Sequence, residues 1–331
     1  MKITTTASGI AGGSGTSALN LNGVKLVAGA NSTSFITNLT TAMVNSGGVT
    51  FDTAGFNLTV AQALANGGGG LTKLGAGRLT LSKANLFSGS TVVSAGTLAL
   101  AEPGNVAGSA QIIISNSATL DVAGRNNQTL TLNNGTALRG GGTIQGKLNA
   151  LAGSTINPGD AIGTLVVQSN LTLAGTLVME LNRTNSPTND KLVSTSGTIA
   201  GGGTLTVTNL GMALQGGDMF QLFNQATGGF STVNLPALIA GNVWQNNVAV
   251  DGSIRVVSTN APSLAIGMVA NQRTLSWPSD HTGWRVQMQT NNLATGLGTN
   301  WLAVASTAAT NQMTMPVSTG NGSLFFRLVY P

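Results

Sequence analysis

Residues 69–100 read GGLTKLGAGRLTLSKANLFSGSTVVSAGTLAL, from Gly69 to Leu100. Within this stretch apolar and polar residues alternate in runs of four or five. In RLTLS (78–82) Leu79 and Leu81 fall on one side and Thr80 on the other; in GTLAL (96–100) Leu98 and Leu100 repeat the arrangement. A period of two marks a half-buried β-strand. Each run is closed by glycine or asparagine, and Asn22-Gly23, Asn66-Gly67, Asn134-Gly135 and Asp251-Gly252 supply further corners where positive φ is tolerated. The local expectation is therefore very short strands joined by tight turns.

The same grammar recurs outward from this stretch. A Gly-Thr-Leu or Gly-Thr-Ile phrase appears at Gly96, Gly142, Gly163, Gly175, Gly197 and Gly203. Steps of 21 (142 to 163) and 22 (175 to 197), and a gap of 46 (96 to 142), indicate a unit near 22 residues; steps of 12 and 28 show that it is degenerate. A coil of that length can make two or three strands and return one level up, burying its inward residues against the coils above and below. The expected fold is all-β: a β-solenoid in which Leu79, Leu81, Leu98, Leu100, Leu120, Val122, Leu165 and Val167 form one continuous parallel stack.

Composition agrees. Of 331 residues, 14 Lys and Arg and 9 Asp and Glu make 7% charged, against roughly 25% for an average soluble domain. Like charges stacked at about 4.8 Å would repel, whereas Asn, Ser and Thr ladders can hydrogen-bond. The 46 glycines argue against helix bundles and coiled coils, and 41% hydrophobic residues argue against disorder. The net charge of +5 comes from cations scattered singly from Lys2 to Arg327, so no nucleic-acid partner is expected. Cysteine is absent, which excludes disulfides and thiolate sites. No run approaches a membrane span, and MKITTTASGIAGG (1–13) lacks the apolar core of a secretory signal.

The positions Gly70, Leu71, Lys73, Gly75, Gly77, Leu79, Leu81, Asn85, Gly89, Thr91, Gly96, Leu98 and Leu100 resemble the autotransporter-associated β-strand repeat of bacterial passenger regions and other very large exported proteins. Residues 44–64 and 142–167 resemble coils that accompany it, so the likeness runs from about 44 to 258. It implies a right-handed parallel β-helix exposed outside the cell or on its surface. After a linker at Val256–Pro262 the composition changes: three of four Trp fall within 25 positions. Leu275-Ser276-Trp277-Pro278, Gly283-Trp284-Arg285, Asn300-Trp301 and Phe326-Arg327-Leu328 resemble a fibronectin-III-like terminal module of large Verrucomicrobia and Planctomycetes surface proteins. The expected organisation is an N-terminal β segment, cap or exchanged strand (1–43), a solenoid shaft (44–258) and a small C-terminal β-sandwich (259–331).

Candidates for chemistry are sparse. Nine carboxylates are spread along the chain; Asp160 with Glu180, and Glu102 with Asp121, have spacings that could stack on adjacent coils, although Asp160 in Asn-Pro-Gly-Asp reads as a turn residue. His281, the lone histidine, lies beside Asp280 in a segment expected to be a surface loop, and neighbours in one loop rarely make a triad. No metal-ligand or phosphate-loop pattern is present, so no metal, cofactor or catalytic residue is expected. Trp277, Trp284 and Trp301 offer either a sugar-stacking platform or core; Trp277 and Trp301 read as core. The function expected is that of a non-enzymatic extracellular structural protein forming a self-assembling fibre, with Ile3, Thr5 and Ile10 packing on a neighbouring subunit as an added strand. An adhesin binding glycans or other surface components is the alternative, and a polysaccharide lyase or hydrolase is the third reading.

Overall fold

A computed structural model describes residues 2–5, 9–291, 294, 296–316 and 323–330. Apart from two single-turn 3-10 helices, every regular element among them is a strand, most of three to six residues. The chain divides into two compact units: residues 1–210, 221–235 and 248–252 form the first, residues 211–220, 236–247 and 253–331 the second.

The first unit is a parallel β-solenoid. One face is an eleven-stranded sheet running from Lys2–Thr5 through Leu71–Leu74 to Thr232–Asn234, and a second is a nine-stranded sheet from Ile10–Ala11 through Arg78–Leu81 to Lys191–Ser194. A third face is regular only at two places, in a three-stranded sheet starting at Ala18–Leu21 and a four-stranded sheet starting at Thr129–Leu132. All these pairings are parallel, as they must be when each coil returns to the same face.

Leu58, Leu79, Leu98, Leu120 and Ile144 stand opposite one another on consecutive strands of the second face, all at most 1% exposed. Leu81, Leu100, Val122, Leu165 and Val167 are buried to the same degree, so the eight residues expected to line the interior do so. Outward positions carry threonine ladders instead; Thr155, Thr176, Thr204 and Thr232 are successive partners on the first face. Coil length varies widely around 22, from 18 residues between Leu138 and Ile156 to 28 between Leu177 and Leu205. The Gly-Thr phrase explains its own irregularity: Thr164 opens a second-face strand, Thr176 a first-face strand, and the strand Ile199–Ala200 lies on the third.

Two expected boundaries shift. The shaft begins at Lys2, because Ile3 and Thr5 pair with Leu26 and Ala28, and Ile10 pairs with Ile36, all within the chain's own sheets. The alternating strand 24–28 offers an edge in the right register, so the described residues 2–5 and 9–43 contribute strands to the same sheets as the shaft. At the other end, Asn242–Asn247 and Ser253–Ser258 make an antiparallel hairpin, not a coil. Gly252 (φ +83°) reverses the chain there.

The second unit also holds two three-stranded antiparallel sheets, built from residues 265–269, 272–276 and 312–316, and from residues 302–303, 285–291 and 323–329. Val286 faces Leu328 and Met288 faces Phe326 across the latter. Leu275, Trp277, Trp284 and Val286 are buried.

Candidate functional site

Corners between the first and second faces take three to five residues over most of the shaft: three at 29–31, 75–77, 94–96 and 140–142, four at 115–118 and five at 53–57. Two consecutive corners are longer, six residues at 158–163 and nine at 182–190. Pro158 and Gly159 (φ +93°) shape the first, and the Asn182 N–H donating to the Thr188 carbonyl (2.7 Å) closes the base of the second. Asp190 ties them together: one carboxylate oxygen accepts the Gly163 N–H (2.7 Å) and the other the Glu180 N–H (2.8 Å). Asp190 is fully buried, and desolvation pushes its carboxyl up to about 7 despite those two bonds, with the Glu180 carboxylate adding to the rise. Glu180 itself has a buried Oε2 without a hydrogen-bond partner among the described residues.

Two recesses open at these corners. One, of about 400 Å³, is lined by Ser115, Asn116, Gly140, Gly141 and the turn 159–163. The other, of about 370 Å³, is lined by Thr164, residues 186–189, Lys191 and Gln221. Gly163 lines the first and its chain neighbour Thr164 lines the second. The walls of the two recesses are mostly hydroxyls, amides and glycine backbone, with the apolar residues Ala161, Ile162 and Pro187, one exposed carboxylate, Asp160, and one half-buried ammonium, Lys191.

The quoted stretch 69–100 builds a different device. Lys73 occupies an inward position and is 0% exposed. Its three N–H groups are shared among four acceptors: Thr53 Oγ1 (3.1 Å) on the preceding coil, the carbonyls of Leu74 (2.9 Å) and Gly75 (2.7 Å) on its own, and Ala95 O (3.1 Å) on the next. Burial lowers its pKa to about 8, partly opposed by the Asp52 carboxylate. Asn85 performs the equivalent task where the third face has no strand: its Oδ1 accepts the Leu64 N–H (3.1 Å) and its Nδ2 donates to Asn105 O (3.1 Å). Gly75 and Gly96 sit at positive φ. Gly70, Gly77 and Gly89 leave no space for a side chain: a Cβ at Gly77 would stand 1.9 Å from the Phe56 carbonyl oxygen. Leu71, Leu79, Leu81, Leu98 and Leu100 point into the core.

Residues 71–100 match the family described as Passenger-associated-transport-repeat. The chain carries an autotransporter passenger-type repeat. Among curated proteins, it is similar to the adhesin BmaC autotransporter of Brucella suis biovar 1 (strain 1330), 29% identical over 254 residues. That alignment takes in 72% of this chain, while the chain spans about 7% of the length of the relative. The passenger-type repeat thus coincides with the coils that Lys73 and Asn85 cross-link.

Outside the passenger-type repeat, the remaining candidates separate. Asp160 lies on an exposed turn, and the acid beside Glu180 is Asp190, which its spacing in sequence did not single out; an acid closing a long turn just before a strand was the available signal. Asp121 is committed to Arg78 (2.6 Å), while a Glu102 oxygen accepts the Asn126 N–H (3.3 Å). His281 is buried rather than at the surface, its Nδ1 2.7 Å from Asp280 and its Nε2 2.7 Å from the Asn260 carbonyl. With both nitrogens occupied by these oxygens, it has none left for a nucleophile, and the triad reading closes. The Trp platform also fails to form: Trp277 and Trp284 are buried, the latter donating to Ser258 O (2.8 Å), whereas Trp301 is half-exposed beneath the Arg327 guanidinium, 4.4 Å from its ring centroid. Trp284 therefore replaces Trp301 as core. Ile3, Thr5 and Ile10 lie on the first coil of their own chain.

Proposed function

We propose that this chain is a non-enzymatic segment of an exported cell-surface protein of adhesin type, acting as a stiff shaft that carries binding surface away from the cell. The observation behind this reading is the passenger-type repeat at 71–100 set within one unbroken eleven-stranded parallel sheet. Stacked coils held by backbone ladders and buried aliphatics suit mechanical spacing. The adhesin named among its relatives supports a role at surfaces. The six terminal strands fit a β-sandwich closed by the apolar faces around Leu275 and Val286. Self-association into a fibre is the finer form of the same role; it requires a contact other than strand exchange by residues 2–5 and 10–11, which pair internally.

Beads coated with the purified chain, compared with albumin-coated beads on host-cell monolayers and extracellular-matrix films, test the reading. Adhesion above albumin supports it; equal adhesion on every surface removes the adhesin role. Sedimentation velocity on the same sample decides self-association, and release of reducing ends or unsaturated products from polysaccharides would overturn the non-enzymatic assignment.

A further inference from the structure

The two lengthened corners at 158–163 and 182–190 have no counterpart in the requirements of the coil, because three residues suffice to turn the same corner elsewhere. In stacked-repeat proteins, added loop length gathered on one side commonly builds the binding face. Here the extra residues are braced to each other through Asp190 and border two recesses, one lined by Gly163 and the other by the next residue, Thr164. Resting on the surface-protein reading above, we infer that this corner is a binding cleft for an uncharged, linear glycan lying along the shaft.

The lining selects that class. From Ser115 through Gly141, the 159–163 turn and the 186–189 turn to Gln221, the two recesses taken end to end cross five successive levels, about 19 Å at about 4.8 Å per level, the length of several linked sugar rings. The Ser115 and Ser186 hydroxyls and the Asn116 amide match sugar hydroxyls as donors and acceptors, whereas the Asn189 and Gln221 amide N–H groups are already bonded within the chain. One ammonium and one carboxylate give no array of cations for a polyanion. Only Ile162 and Pro187 among the larger lining residues are apolar, so the cleft lacks the aromatic or aliphatic anchor pockets on which protein and peptide partners depend. A third recess of about 420 Å³, lined by residues 31–34, 57–59 and Thr80, is also polar but lies beside the shorter corners 29–31 and 53–57, and it serves as an internal control.

Hydrogen exchange on the intact chain, with and without cello-, manno-, xylo- and malto-hexaose, is the decisive measurement, paired with titration calorimetry. One neutral hexaose is expected to protect amides in 158–163 and 182–190 and to leave 31–34 unchanged. Ala161→Arg and Ser186→Arg, each filling one recess from an exposed position, should weaken binding at least tenfold with an unaltered thermal midpoint, whereas Thr33→Arg should leave it unchanged. The inference is overturned if no hexaose protects these turns, if only oligogalacturonate does, or if Thr33→Arg is as damaging as Ala161→Arg. Should coated beads adhere while no hexaose binds, the surface reading stands and the cleft assignment falls.

Discussion

Lys73 is an ammonium enclosed by the protein, and its three N–H groups are shared among four acceptors on three consecutive coils. Replacing it with Met would keep the alkyl volume and strip the Gly75 and Ala95 carbonyls of this donor; the expected loss is about 2–4 kcal/mol by urea unfolding. Its titration has a definite sign. The folded chain releases this proton near pH 8 and the unfolded chain near 10.5, so the unfolded state binds more protons between those values. The stability difference between wild type and Lys73→Met should therefore be flat below pH 8 and widen in favour of wild type as pH climbs to 10.5. Asp190 runs the other way. Folded, it keeps its proton up to about pH 7; unfolded, it loses it near 3.8. Its contribution is complete below pH 3.8, declines as pH rises, and is gone above 7, so the gap between wild type and Asp190→Asn should move toward the variant over that window. A gap that does not change with pH would contradict the burial of this carboxyl. Neither role was legible beforehand: Lys73 stood out only as one position in a resemblance, and Asp190 as one acid of nine, because neither alternation nor spacing reports what a side chain meets on the next coil.

At the scale of the element, strands are interchangeable and corners are not. Alternation in RLTLS and GTLAL located the strands at 78–81 and 97–100 directly, since an inward Leu every second residue has only one sheet face to occupy. Corner glycines carry the close approach of coils. Gly77→Ala would drive a methyl into the Phe56 carbonyl and should cost roughly 1–3 kcal/mol, while Gly228→Ala, where nothing lies within 4 Å, should be nearly neutral. Equal effects in paired denaturation curves would refute this account of inter-coil contact. The third face was the part that pattern reading missed. Around the passenger-type repeat it has no strand, and Phe87, Val106 and the amide of Asn85 fill it instead. Irregular backbone satisfied by a side-chain amide leaves no periodic trace.

For the whole molecule, nearest-neighbour stacking predicts how damage spreads. Leu98→Asp sets a carboxylate between Leu79 and Leu120 in a dry interior. Hydrogen exchange should show protection lost first across 58–120, with strands at 164–181 and 204–209 holding longer; simultaneous loss throughout would mean that the solenoid unfolds as one cooperative block. The solenoid and its interior stack were readable from composition and period two. The ends of the shaft were not, because the strand at 2–5 is recognisable only by its partner at 25–28, and the hairpin at 242–258 alternates much as a coil does. The spread of coil lengths has a further consequence. Strand register survives whether a coil takes 18 residues or 28, since the surplus is shed at corners. The rod is thus a ruler graduated in rungs, not in residues: insertions at a corner ornament it without making it taller, and only a duplicated rung extends its reach.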